Sequence, residues 1–124
     1  MPAMTADALM ATQRLVRRLP VGERVVDAIL DLVRSARPDA DSKLATHLSW
    51  GPGPRAGQAL TLAVRARALA QGRLAPSLDD VAALAEPVLK HRMALSFAAR
   101  AEGETLENII ADLVAKTGMS DASA

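Results

Sequence analysis

The chain has 124 residues, half of them hydrophobic, and its formal net charge is +1. This length suits one folded domain, the composition argues against disorder, and the balanced charge argues against a surface built for nucleic acid. Because cysteine is absent, disulfides, thiol catalysis and cysteine-bound zinc are excluded. No stretch approaches the roughly 20 apolar residues of a membrane helix and no secretory leader is recognisable, so we expect a cytoplasmic protein without a membrane anchor.

The hydrophobic residues predict an all-α fold. The chain has one Phe, one Trp and no Tyr, so small aliphatic side chains must fill the core. Strands favour aromatic and β-branched residues, whereas small side chains let helices approach closely. We therefore expect residues 1–118 to form a single bundle of about five helices, with short irregular or extended segments near 73–76 and 91–95. Residues 119–124 should be a frayed tail.

Two amphipathic helices are predicted first along the chain. The first runs from Thr5, its N-cap, to Leu19, with Ala8, Leu15 and Val16 on its apolar face. The second, "VGERVVDAILDLVRSAR", ends near Pro38. Residues 37–54 then lose the helical period and predict a long connection. The expected apolar face of the second helix comprises Val25, Val26, Ile29, Leu30, Leu32, Val33 and Ala36.

Three further helices are predicted after the connection. "RAGQALTLAVRARALAQG" should be an alanine-rich helix with Gly72 just past its end. Ser77 and Asp80 have the spacing of a capping box at the start of the next helix. Pro87 predicts a kink or a new short turn in "EPVLKHR". The last helix runs from about Thr105 to Lys116. The expected buried stripe of the alanine-rich helix comprises Ala59, Leu62, Ala63, Ala66, Leu69 and Ala70.

The sequence shows no complete active site of its own. The glycines at 51 and 53 are followed by Pro and Arg, without the lysine and hydroxyl of a GxxxxGK[ST] phosphate-binding loop. His47 and His91 are far apart, and neither has a second ligand at i+3 or i+4, so no metal site is predicted.

Several charged residues allow a functional interpretation, although a solvated surface explains them better. Asp27 and Asp31 lie one helical turn apart, as an acid–base or cation-binding pair would, but Arg24 and Arg34 flank them at i−3 and i+3. Alternating charges on one helix face are typical of solvent-exposed surface.

A small basic cluster and a lone tryptophan remain open. Arg14, Arg17 and Arg18 could contact phosphate or an acidic partner, although a solvated face is favoured. Trp50, in the long connection, fits a core plug and an interface anchor equally well.

Arg55 follows the constrained stretch "GPGP" at the start of the alanine-rich helix. The preceding proline fixes the backbone, and the free N–H groups of a first helical turn favour anions. An arginine there can present its planar fork to a phosphate with little entropy left to lose. An ordinary surface arginine is the alternative, and the chemistry of the residues alone favours it.

The stretch "GPGPRAGQALTLAVRARALAQGRLAPSLDDVAALAEPVLKHRMAL" resembles the C-terminal lid of MoxR-type AAA+ ATPases. In that family a G-x-S-P-R-A turn opens a helix, a G-R segment leads to a P-x-D-D-V helix start, and L-x-H-R closes the segment. "VRRLPVGERVVDAILDLVRSAR" is similar to the family's first lid helices. The likeness runs from about Arg14 to Leu95, and Gly53 departs from it because the family commonly has Ser there.

The resemblance implies an all-α lid beside a nucleotide-binding core, with Arg55 at the sensor-2 position and with Arg55 and Ala56 at bound ATP. ATP and Mg²⁺ would belong to the full-length protein, because this chain lacks the Walker motifs and should not be active alone. The implied partners are the core domain and neighbouring subunits of a ring, and a von Willebrand factor A-domain protein. The implied role is chaperone-like, in protein assembly or metal-cofactor insertion.

The lid could be part of a longer ATPase or a separate protein, and a function of a different class is also open. On size grounds we expect the chain to be the C-terminal part of a longer ATPase rather than a stand-alone lid. The hypothesis from a different class is a stand-alone helical protein-interaction module without nucleotide chemistry, which would use Trp50 and the cluster of Arg14, Arg17 and Arg18. Nucleic acid and membrane are not expected partners.

Overall fold

A computed structural model describes residues 4–37 and 45–117. Within these ranges the fold is all-α, as the sequence predicts, and it includes one small two-stranded sheet. Gly118 and the expected tail at 119–124 lie outside the described residues. The elements are α1 (Ala6–Arg18), α2 (Glu23–Ser35), a 3₁₀ turn (Ala45–His47), β1 (Leu48–Trp50), α3 (Pro54–Ala70), α4 (Leu78–Leu89), a second 3₁₀ turn (Lys90–Arg92), β2 (Ala94–Leu95), α5 (Phe97–Ala101) and α6 (Leu106–Lys116).

Threonine hydroxyls cap the starts of α1, as predicted for Thr5, and of α6. The Thr5 hydroxyl accepts a hydrogen bond from the Ala8 amide at 3.1 Å at the start of α1. At the start of α6, Thr105 accepts from the Asn108 amide at the same distance. Each hydroxyl satisfies an N–H group that has no partner inside its helix. These two helix starts are therefore fixed by local chemistry alone.

The core is centred on α3 and α4, which pack against each other. Helix α2 lies against both, α6 lies against α4 and α2, and α1 contacts α3. Apolar side chains from α2, α3, α4 and α6 form the core together with Leu48 and Met93. The Ile109, Ile110 and Leu113 side chains of α6 are buried as predicted. Burial of aliphatic surface is the main source of stability in such a bundle.

The predicted buried stripe of α3 is wrong. The buried side chains are Ala56, Leu60, Val64 and Ala68, whereas Leu62, Ala66 and Ala70 of the predicted stripe are exposed and Ala59, Ala63 and Leu69 are half-buried. Most positions of this helix carry Ala, Leu or Val, so its hydrophobic pattern is nearly uniform around the axis. Contacts with neighbouring helices select the buried face.

The apolar faces predicted for α1 and α2 are also wider than the buried ones. In α1, Ala8 and Leu15 are exposed and Val16 is buried. In α2, Val26 and Leu30 remain 37% and 41% exposed. No described helix covers these two side chains fully.

The short turn predicted in "EPVLKHR" is present, but it comes after Pro87 rather than at it. The helix continues through Pro87 to Leu89, and the short turn comes afterwards, at Lys90–Arg92. Proline removes one backbone donor and usually kinks or ends a helix. Here the burial of Ala85 and Leu89 on either side of it holds the helix against the core.

The sheet and α5 were not fully predicted. Strand β1 pairs antiparallel with β2, with Leu48 opposite Leu95 and Trp50 opposite Ala94. The strand at 94–95 lies in a segment expected to be irregular or extended, and residues 73–76 are irregular as expected, whereas β1 was assigned to a connection. The sheet fixes the end of the long connection directly before α3.

Candidate functional site

The turn that carries Arg55 is seated against the end of α2. A Cβ atom added to Gly51 would lie 2.5 Å from the Ala36 carbonyl oxygen, so only glycine allows this close approach of two backbones. Pro52, the next residue, is buried. Packing therefore holds the first half of the "GPGP" stretch in place.

Gly53 sets the direction in which α3 begins. It is the N-cap of α3 and has φ of 77° and ψ of 173°, a region that is essentially restricted to glycine. Pro54 follows at the first helical position, where its missing N–H is no loss. The serine that the MoxR-type lids commonly have at this position would be strained in this backbone.

We expect Gly53→Ser to destabilise the fold by about 1–2 kcal/mol, because a side chain at this positive φ is strained. Urea unfolding monitored by circular dichroism measures the change. Gly22→Ser is the matched control, since Gly22 is also an N-cap glycine, has φ of −65°, and has open space around its Cβ position. Serine is a favoured N-cap, so this control should be neutral or slightly stabilising. Equal losses in both variants would contradict the assigned strain.

Arg55 occupies the second position of α3 and is exposed. Its side chain has no hydrogen-bond or ion-pair partner among the residues that the structure describes. The first turn of α3 contains no acidic residue, and no side chain caps it. A free guanidinium beside an uncapped helix N-terminus is an arrangement that favours an anion such as phosphate.

Ala56, the second residue expected at the nucleotide, is fully buried in the core. Its amide donates to the Gly53 carbonyl oxygen at 3.2 Å. Its methyl group therefore packs inside the bundle and helps to seat the turn, while Arg55 is the side chain that reaches solvent.

A second polar constellation joins α3 to α4 through one carboxylate. Asp80 is completely buried, and Arg73 donates to both of its carboxylate oxygens, at 2.8 and 2.6 Å. Arg67 donates to Oδ1 at 2.5 Å, and the Ser77 amide donates to Oδ2 at 2.7 Å, as a capping box requires. The two guanidinium groups are about one third exposed. Asp80 thus accepts a hydrogen bond from the backbone amide of the helix N-cap and binds two arginines at the same time.

This environment determines the charge of Asp80. Burial alone would raise the pKa of the carboxyl group, but hydrogen bonds from Arg73, the Ser77 amide and Arg67 hold that pKa well below its usual range. The carboxylate in turn raises the pKa of Arg73. The group is therefore a permanently charged structural ion cluster at neutral pH.

The end of α3 directs Arg73 toward Asp80. Gly72, just past the C-cap, has φ of 76°. The Gly72 amide donates to the Leu69 carbonyl oxygen and the Arg73 amide to that of Ala68. This is the Schellman pattern, so the predicted role of Gly72 is confirmed. The sequence also predicted the capping box, but not that two arginines would share its carboxylate.

The other charged candidates lie on the surface. Asp27 and Asp31 are exposed, and neither pairs with Arg24 or Arg34 among the described residues. The interpretation of this helix face as solvated surface is confirmed.

The two histidines lie on separate 3₁₀ turns. His47 is half-buried and its Nδ1 atom has no partner among the described residues, whereas His91 is exposed in the second 3₁₀ turn. Across residues 4–37 and 45–117, no three His, Cys, Asp or Glu side chains come together to hold a metal. None of the described helices is long and apolar enough to cross a membrane.

The structure shows where the remaining candidates, the tryptophan and the basic cluster, are located. Trp50 is 56% exposed on β1, so it is not a core plug. Arg14, Arg17 and Arg18 are all exposed on α1. Phe97, which the sequence analysis did not single out, is 89% exposed at the start of α5. Both aromatic side chains of the chain therefore lie at the surface.

The sequence profile of the AAA lid domain matches residues 41–113, more than half of the chain. The chain belongs to the AAA lid domain family. The matched stretch includes the Arg55 turn, the Asp80 cluster and most of α6, so both constellations lie inside the lid proper.

A solved structure agrees with this lid assignment. The fold is similar to a crystal structure named as a putative ATPase from Cytophaga hutchinsonii, with a TM-score of 0.77 and 26% sequence identity. The similarity covers 83% of this lid chain and 32% of the other, so the lid spans about a third of the length of that protein. No protein of curated function matches the lid chain.

Proposed function

We propose that this AAA lid domain is the C-terminal lid of a MoxR-type ATPase and that Arg55 acts as its sensor-2 residue. The observation that supports the proposal is the placement of Arg55: an exposed guanidinium, without a partner among the described residues, on a turn that packing and backbone geometry hold rigid. The free cation and the uncapped helix start fit the γ-phosphate of ATP bound by a separate core domain.

The chemistry proposed for this chain is positioning and charge stabilisation. ATP and Mg²⁺ would be held chiefly by the core, which supplies the phosphate-binding loop and the residues that position the attacking water. Arg55 would place its fork against the phosphate oxygens, where negative charge lies. Any part that Ala56 takes in nucleotide binding would come from its main chain, since its side chain is buried.

The partners proposed for the lid follow from the same assignment. They are the ATPase core, neighbouring subunits of a ring oligomer and, in a MoxR-type system, a von Willebrand factor A-domain protein. We propose a chaperone-like role in protein assembly or metal-cofactor insertion. The net charge of +1 gives no support to nucleic acid as a partner.

One observation favours the alternative, a stand-alone protein-interaction module. Trp50 and Phe97 are exposed, and large aromatic side chains often anchor protein interfaces. This alternative makes no use of Arg55, so the behaviour of the nucleotide separates the two functions.

The test uses the whole ATPase, meaning this chain together with its nucleotide-binding core on one polypeptide or two. We expect the core without this chain to hydrolyse ATP at least about tenfold more slowly than the whole ATPase, because a sensor in the lid completes the charge stabilisation. Adding the chain back should restore turnover. Equal rates with and without the chain would overturn the lid function, and hydrolysis by the isolated chain would contradict both functions.

A further inference from the structure

An open groove of about 460 Å³ lies between α2 and α3, beside the turn that carries Arg55. Its apolar walls include Val26 and Leu30 from α2 and Leu62 from α3. These three side chains remain 37–42% exposed, although each would gain from leaving water. We call this surface the α2–α3 groove. Apolar side chains that line a shared concavity are typical of a docking site.

Gly57 lies in the wall of the α2–α3 groove and has no packing reason to be glycine. A Cβ atom at this position would meet nothing within 4 Å, so alanine would fit. Glycine inside a helix is less stable than alanine, because the unfolded chain has more freedom to lose. Within the described fold nothing compensates for this loss. A glycine on a helix surface does, however, let another backbone approach closely.

Arg65 lines the α2–α3 groove away from the Arg55 turn. It is the only charged residue among the described groove residues. Its Nη1 donates to the Arg17 carbonyl oxygen at 3.4 Å, a long hydrogen bond, and its buried Nε has no partner among the described residues. A buried guanidinium N–H without an acceptor is costly. An occupant with a carboxylate or a free carbonyl near Arg65 would give its Nη groups a closer acceptor than the Arg17 carbonyl oxygen at 3.4 Å.

The groove lies next to the turn that the proposed function places against the core. Pro54 lines the groove and directly precedes Arg55. If Arg55 reaches a phosphate on the core, the core surface must also lie against Pro54 and the neighbouring turn of α3. The similar crystal structure has about two thirds of its chain outside the part that corresponds to this lid, which is enough for such a core.

We infer that the α2–α3 groove receives an apolar segment of the ATPase core that carries a hydrogen-bond acceptor opposite Arg65. This inference rests on the proposed function, because the phosphate contact of Arg55 is what brings the core to Pro54. The groove would then be the packed part of the lid–core interface, next to its charged contact at the nucleotide.

Single cysteines test this inference, since the chain contains none of its own. Leu30→Cys and Leu62→Cys report on the groove, and Leu74→Cys, in the exposed connection before α4, is the matched control. The measurement is the rate of maleimide labelling at each site by mass spectrometry, in the isolated chain and in the whole ATPase. We expect the two groove sites to react about tenfold more slowly in the whole ATPase, since a packed interface excludes the reagent. The control should keep its rate.

Three results would overturn the inference: equal groove rates in both proteins, equal slowing at Leu74, or slowing in the isolated chain that grows with its concentration. The last would identify a second copy of the chain as the occupant. Turnover separates this failure from failure of the proposed function. If the core still needs the chain for hydrolysis while the groove cysteines stay accessible, the lid function stands and the docking surface is wrong.

Discussion

Arg55→Ala is expected to lower ATP turnover by the whole ATPase by about 100-fold, the usual cost of removing one donor that stabilises transition-state charge. The loss should appear mainly in kcat, because the core provides most of the nucleotide binding. Arg55→Lys should recover part of the rate, since it keeps the charge and loses the planar fork. Steady-state hydrolysis at saturating ATP measures both variants.

The fold should tolerate the Arg55→Ala change. Arg55 is exposed and has no partner among the described residues, so its removal should alter the free energy of unfolding by no more than about 0.5 kcal/mol. Arg100→Ala, another exposed arginine on a helix, is the matched control and should hydrolyse ATP at the wild-type rate. Normal turnover by a folded Arg55→Ala enzyme would remove the sensor-2 assignment.

Asp80→Asn is expected to destabilise the isolated chain by about 2–4 kcal/mol, because it leaves two arginines without their shared anion. The lower half of this range is favoured, since both guanidinium groups reach solvent. Asparagine keeps the shape and an acceptor oxygen, so the loss reports mainly on the charge. Urea unfolding at pH 7 measures it, and Asp79→Asn, the exposed neighbour in the same helical turn, is the control.

The two arginines should differ in their effects. Arg73 binds both carboxylate oxygens, whereas Arg67 binds one, so Arg73→Ala should cost more stability than Arg67→Ala. Each single variant leaves one cation on Asp80. The two losses should therefore not add in the double variant. Additive losses would mean that the carboxylate is not shared.

The same cluster predicts the behaviour in acid. The folded-state pKa of Asp80 lies below the unfolded value of about 3.9, so the contribution of the carboxylate is fully present above about pH 5. It is lost progressively as the pH falls below about 4 toward the folded-state value. The wild-type chain should lose stability in this window, and Asp80→Asn should lose less. Parallel curves of unfolding free energy against pH would contradict the assigned ion cluster.

The sequence predicted those parts of the fold that depend on local chemistry. The N-cap at Thr5, the capping box at Ser77 and Asp80, the start of the last helix near Thr105 and the glycine past the end of α3 are each set by residues a few positions apart. The all-α class follows from composition in the same way. These features need no knowledge of which helices become neighbours.

The features that were missed depend on distant contacts. The buried face of α3 is one, because most positions of that helix carry Ala, Leu or Val and contacts with the neighbouring helices determine which of them are buried. Strand β1 has three residues and pairs with a partner about 45 residues away, which no local pattern indicates. Arg67 lies 13 residues before Asp80, and their pairing requires α3 and α4 to pack in this register.

For the candidate site, the sequence identified Arg55 but not the reason for its rigid base. Position 53 requires glycine because its φ is positive, and position 51 requires glycine because a side chain would meet the Ala36 carbonyl. Only the structure shows these two requirements. The resemblance to a family with serine at position 53 pointed away from that conformation. The alternation of glycine and proline predicts a turn at residues 51–54, but it does not predict that the turn packs against the end of α2.

The contact between Gly51 and Ala36 has a mechanical consequence. The turn joins the end of α2 to the beginning of α3, and both helices belong to the core. If Arg55 contacts the nucleotide as proposed, a displacement of the turn as the nucleotide changes would be passed to both helices, because the turn packs directly against the end of α2. The displacement would rotate the whole bundle as a lever, so that a shift of about 1 Å at the phosphate becomes a larger one at the far side of the domain.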